Sequence, residues 1–180
     1  RSAIYMVTGP GPLANPAAGG EWPTPALITS DVGCLDQRSL ATTPSGLVFQ
    51  SAKGIYQIDR GRQVSYVGAP VEAYNAQRVV RATLVDDTTQ IRFLTDSGST
   101  LLYDYLFGQW STFTNHEGID SVQARGLYHY LRTDGRVFRQ ASTYADANLP
   151  IPMVIETAWI RAHAKAVALQ RQAVEHLVSA

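Results

Sequence analysis

The sequence predicts an all-β protein made of propeller-like blades of antiparallel strands. Three observations carry that expectation. Strand pairs rich in aromatic and β-branched residues recur along the chain, short turns of Gly, Asp, Ser and Lys close them, and their aromatic positions repeat at roughly the length of a blade. The blades are expected to occupy residues 1–160, with 161–180 a separate C-terminal segment.

Taken in order, Ser2-Ala3-Ile4-Tyr5-Met6-Val7 echoes Ser51-Ala52-Lys53-Gly54-Ile55-Tyr56-Gln57-Ile58. The echo places Arg1 at a hairpin whose first strand lies upstream, so the first blade is expected to be incomplete and the chain to be an interior piece of a larger protein. Gly9 to Pro25, with four Gly and five Pro, reads as an extended surface loop, a place where contacts with neighbours concentrate. Ala26-Leu27-Ile28 is a short strand.

Three hairpins follow. Leu47 to Ser51 and Ile55 to Ile58 flank Ala52-Lys53-Gly54; Ile91 to Leu94 and Thr100 to Tyr105 flank Asp96-Ser97-Gly98; Leu127 to Tyr130 and Arg136 to Phe138 flank Thr133-Asp134-Gly135. Tyr56, Tyr103 and Phe138 on their second strands lie 47 and 35 residues apart, near the period of about 40–50 expected of four-stranded blades. Val64 to Val67, Val79 to Val85 and Trp110 to Phe113 supply further strands, giving three or four per unit. At the end of the chain, Ile151 to Ile160 alternates as a strand does. Ala162 to Leu177 is rich in helix formers, so 161–180 stays open between a short helix and a strand.

Composition narrows the function classes. Apolar residues make up 45% of the 180, enough for a core. Fifteen basic and fifteen acidic residues cancel, which supplies neither the basic field of a nucleic-acid binder nor an acidic tail. A lone Cys34 excludes an internal disulfide framework. No apolar run approaches the roughly 20 residues of a membrane helix, so the sequence implies no membrane contact.

The run Asp31-Val32-Gly33-Cys34-Leu35-Asp36-Gln37-Arg38-Ser39-Leu40, then Thr43 to Tyr56, Tyr66 to Glu72, Thr100 to Tyr105, Gly108 to Phe113 and Ile155 to Ile160, resembles the tail nozzle and packaged-DNA stabilisation proteins of short-tailed bacteriophages. That resemblance implies a β-propeller-bearing structural protein of the virion tail, assembled in the host cytoplasm. It also implies a ring of copies below the portal, in contact with the portal, an adaptor or other tail proteins. The ring would retain and conduct the packaged genome, with DNA passing through and read without sequence-specific contacts. After Ile160 the Ala-rich run departs from the family pattern.

Candidate sites are accordingly interfacial rather than catalytic: no catalytic, cofactor-binding or metal residue is expected. His116, His129, His163 and His176 are scattered without ligand spacing. His116 reads as part of a solvated turn, His129 as a packed or half-exposed strand position, and Cys34 as a small buried loop residue. Asp31 and Asp36 suit capping or pairing with Arg38 better than a calcium loop. No glycine-rich phosphate loop is present. Tyr56, Tyr103, Tyr105, Trp110 and Phe113 read as blade core. The interface candidates are Trp22 in the Gly/Pro-rich loop and Arg60 with Arg62, whose guanidinium groups would meet a phosphate or carboxylate, or else a solvated turn paired with Asp59. The alternative is a kelch-like propeller that binds or processes carbohydrate, recruiting Glu72, Asp86, Asp87 and Asp120. Two of those acids sharing a pocket would favour it.

Overall fold

The computed structural model describes residues 3–9, 24–114, 116–141, 145–146 and 149–150. The chain divides into two compact units, Arg1–Gln140 and Ala141–Ala180. Trp22, the two expected elements within 151–177, and His163 and His176 lie outside the described residues.

The all-β class is borne out. Strands β1 (Ile4–Met6) and β2 (Ala26–Thr29) pair antiparallel. A four-stranded sheet follows, β3 (Ala41–Thr43), β4 (Gly46–Ser51), β5 (Gly54–Asp59) and β6 (Val64–Tyr66), hydrogen-bonded in chain order. A second sheet repeats the plan with β7 (Val79–Val85), β8 (Gln90–Thr95), β9 (Thr100–Asp104) and β10 (Gln109–Phe113). The third has β11 (Gly118–Ala124), β12 (Leu127–Arg132) and β13 (Val137–Arg139), again in chain order. Every pairing in these sheets is antiparallel. In the second unit the described residues form one antiparallel pair, β14 (Ala145–Asp146) with β15 (Leu149–Pro150).

Local chemistry explains the repeat. Each sheet turns back on itself after a few residues because the connections supply tight-turn conformations. Gly54 at φ +115 closes the Ala52-Lys53 turn, and Gly98 at φ +82 closes Asp96-Ser97. Helix among the described residues is confined to 3-10 turns at Gln37–Ser39, Ala69–Tyr74 and Asp86–Thr88.

The middle strands β4 and β8 show where the layers lie. From Val48 to Ser51 and from Ile91 to Thr95, consecutive residues are buried, so both faces of each strand are covered. Strand β7 packs against β3 on one side and β11 on the other, so the first strands of successive sheets are neighbours. The last strands β6 and β10 are half-exposed to exposed edges. Between the first two sheets lies the apolar core, with Val48, Ile55, Val79, Ile91, Phe93 and Leu101 at its heart.

Polar groups reinforce that junction. The Gln50 amide, almost wholly buried, donates through Nε2 to the Gln77 carbonyl at 2.7 Å and accepts the Val79 N–H at 2.8 Å, so it caps the entrance to β7. Trp110 stacks on Tyr103 with centroids 4.7 Å apart and donates its Nε1–H to the Val67 carbonyl at 2.8 Å. Tyr103, Trp110, Tyr105 and Tyr56 thus occupy buried or half-buried places, as expected of core aromatics. Phe113 does not: it sits on the exposed edge strand β10, its ring tilted toward His116 at 6.2 Å.

Candidate functional site

The stretch ahead of the first sheet is organised by Asp36. Its carboxylate accepts the Arg38 N–H at 2.9 Å, capping the Gln37–Ser39 turn, and pairs with the Arg78 guanidinium at 2.5 Å. The Arg38 backbone N–H and then Arg78 hold its pKa below the usual 3.8. The neighbouring acid Asp31 pairs with Lys53. Asp36 therefore caps and pairs, Asp31 pairs, and their cations are Arg78 and Lys53 respectively rather than Arg38. Cys34 is half-buried, and its thiol donates to the Asp36 carbonyl at 3.1 Å.

Because the Asp36 pKa is depressed in the fold, its contribution to stability is complete above the ordinary carboxylate value and disappears as pH falls through the folded value. Asp36→Asn keeps a capping oxygen but removes the charge. The urea midpoint of this variant is expected to lie below that of the parent at pH 7, and the two are expected to converge as pH drops well below about 4.

Arg60 and Arg62 are exposed on the β5–β6 turn. The Asp59 carboxylate accepts the Gln63 N–H at 2.8 Å, and the Arg62 N–H bonds the Asp59 carbonyl at 3.0 Å. Among the described residues neither arginine forms an ion pair, so the expected bridge to Asp59 is not made; Arg62 Nη1 instead reaches the Met6 sulfur at 3.7 Å.

The four acids of the carbohydrate alternative take separate places. Glu72 lies on the Ala69–Tyr74 turn, Asp86 and Asp87 open the turn after β7, and Asp120 on β11 pairs with Arg81 at 3.2 Å. A shallow pocket of about 220 Å³ lies on the third sheet, and of these acids it includes Asp120 alone. Val122, Leu131 and Val137 make its floor largely apolar, while His129 joins them with its Nδ1 3.0 Å from the Leu127 carbonyl. A pocket with one neutralised carboxylate suits apolar contact better than acid–base work. No cluster of three metal-ligating side chains occurs among the described residues.

His116 is packed rather than solvated. Its ring lies 3.8 Å from that of Tyr130, and its Nδ1 is 2.7 Å from the hydroxyl of Thr100, a fully buried residue. His129 is half-buried, as expected of a strand position.

Sequence reasoning missed one feature that the fold presents prominently. At the β9–β10 turn, Leu106 is 65% exposed and Phe107 70% exposed. The Asp104 carboxylate accepts the backbone N–H of both, at 3.0 and 3.1 Å, and also the Thr89 hydroxyl at 3.2 Å. The tip is therefore held in one conformation while its two large apolar side chains face solvent. The signal available in the sequence was Leu-Phe-Gly where turn residues are usually polar.

No family model and no curated protein matches the chain. Among solved structures it is similar to a chain of PorZ, a bacterial surface component of the type-IX secretion system of Porphyromonas gingivalis. Identity is 14% and the TM-score 0.33, over 78% of this chain and 24% of that one. A likeness of that degree carries no argument about fold or function.

Proposed function

We propose that the chain is an assembly module: successive sheets arranged as blades of a propeller-like body, serving the tail of a short-tailed phage as part of the nozzle or plug ring below the portal. Its work is structural rather than catalytic. Its partners are copies of itself and adjoining tail proteins, and the packaged DNA passes by without being read. Assembly in the host cytoplasm and residence in the virion tail follow from the same reading.

The observation that carries the assembly part is the pair of apolar displays. One is the rigid Leu106-Phe107 tip; the other is the outward face of the third sheet, where Val122, Leu127 and Val137 are all exposed, Val137 by 67%. Large apolar side chains held rigidly at a surface mark protein contacts, because a preorganised group loses little entropy on docking. The propeller part is supported by the packing of β3, β7 and β11 as consecutive first strands. The phage part rests on the sequence resemblance.

Immunogold labelling tests this reading. Antibodies against the chain are expected to decorate the tail vertex of particles of the encoding virus. Particles free of label, together with binding of the chain to defined oligosaccharides on a glycan array, would transfer the case to the carbohydrate alternative.

A further inference from the structure

Two features of the surface match one another in size and chemistry. The β9–β10 turn carries Leu106 and Phe107, 65% and 70% exposed, and the Asp104 carboxylate pins it through the backbone N–H of each. Gly108, at φ +66, closes the turn by donating its own N–H to the Asp104 carbonyl at 2.8 Å. The second feature is the pocket of about 220 Å³ on the third sheet. Cross-strand pairing of Val122 with His129, and of Leu131 with Val137, sets these side chains on the outer face. Ser121 and Tyr128 point the other way, to Thr83 and Arg92 of the second sheet.

An apolar cavity of about 150 Å³ is enough to hold a benzene ring, so the pocket has room for one phenyl side chain. The chain's own tip does not fill it, since neither Leu106 nor Phe107 lines it. Charge matches as well. Val85, Gln90, Asp104 and Gln109 lie in a row across the second sheet, so the β7–β8 and β9–β10 turns share one end of it. That end carries the carboxylates of Asp86, Asp87 and Asp104 and no cation of its own. Beside the pocket, Arg139 lies opposite His129 and forms no ion pair among the described residues, whereas Asp120 is neutralised by Arg81. The receiving face is therefore left with a positive charge.

We propose that the Leu106-Phe107 tip of one copy seats in the third-sheet pocket of a second copy, with Arg139 of the receiving chain facing the carboxylates around the tip. The contact rests on the self-assembly part of the reading above and is independent of its phage part. It is head-to-tail, because tip and pocket are different patches of the same chain, and such contacts build rings when the rotation closes. Two large side chains, two-thirds exposed, offer roughly 200–300 Å² of surface, against about 800 Å² per partner in a stable interface. One contact is accordingly weak, and a ring in which every copy makes two is what holds it.

Disulfide trapping captures a weak contact and tests the proposal. In a Cys34→Ser background, whole chains carrying Phe107→Cys are mixed with chains carrying Val137→Cys under mild oxidation. Both positions are exposed, so neither change disturbs the core. The mixed disulfide is expected to form at least about tenfold faster than either symmetric one, because docking raises the effective concentration of the two thiols. Arg139→Glu in the receiving chain is expected to slow it by about threefold or more at low salt, with no difference left at about 1 M salt. A mixed disulfide no faster than the symmetric ones overturns the proposal, as does a low-salt rate that ignores Arg139→Glu. Sedimentation of the parent chain separates the two possible failures. Self-association without preferential mixed trapping overturns the tip–pocket contact alone, while a chain that stays monomeric up to about millimolar concentration and traps no mixed disulfide takes the self-assembly reading with it.

Discussion

Phe93→Ala is expected to lower the free energy of unfolding by about 3–5 kcal/mol. Phe93 is 0% exposed on β8, stacks on Trp110 with centroids 6.0 Å apart, and belongs to the apolar cluster between the first two sheets. Removing its ring takes away both the transfer of apolar surface from water and the packing of the facing strands. Those strands are tied to their neighbours through β-ladders and collapse poorly into the gap. Urea denaturation followed by tryptophan fluorescence reads the loss directly, since Trp110 lies against the deleted ring. A loss below about 1 kcal/mol would mean that the two sheets are not joined through this cluster.

Gly46→Ala is the second change with a large expected effect. Gly46 opens β4 at φ +145, directly opposite Asp59. A methyl group built there would lie 2.0 Å from the Ile58 carbonyl oxygen and 2.9 Å from the Asp59 Cα. Both obstacles are backbone, so no side chain can swing aside; either β4 and β5 part at this end or the residue leaves its conformation. The expected cost is at least about 3 kcal/mol, the upper range for a strained backbone position. Gly108→Ala provides the control. Gly108 also has a positive φ, +66, but nothing lies within 4 Å of the added methyl, so the cost is expected to stay near 1 kcal/mol. Comparable midpoints for the two variants in thermal unfolding would contradict the close approach of β4 and β5.

The hairpins were legible in the sequence because their signals are local. Tyr56, Tyr103 and Phe138, aligned as the second strands of their hairpins, occupy β5, β9 and β13, the third strand of each sheet. Aromatic and β-branched runs around a glycine turn leave little else for the backbone to form.

Two of the three first strands were harder, β7 having been read at Val79 to Val85. Strand β3 is only Ala41-Thr42-Thr43 and runs into Pro44, while β11 reads Gly-Ile-Asp-Ser-Val-Gln-Ala, without an apolar alternation. It lacks one for a physical reason: Ser121 bonds Thr83 hydroxyl to hydroxyl, Gly118 meets Leu94 with no side chain of its own, and a bulge between Gly118 and Asp120 shifts the register. A strand whose buried positions are a glycine and a serine carries no hydrophobic pattern to find.

The surface residues show the same limit. The packing of His116 against Tyr130 depends on a neighbouring sheet that no window of sequence reveals. The exposure of Phe113 follows from its place on an edge strand. The Leu106-Phe107 tip looks like core by composition and lies at the surface because Asp104 fixes the turn around it.

A reconstruction of the intact particle at side-chain resolution tests the central claim most directly. The account predicts density in the tail, below the portal, into which the sheets from β3 to β13 fit side by side with their first strands adjacent. Particles whose tail density accommodates no such succession of sheets would contradict it.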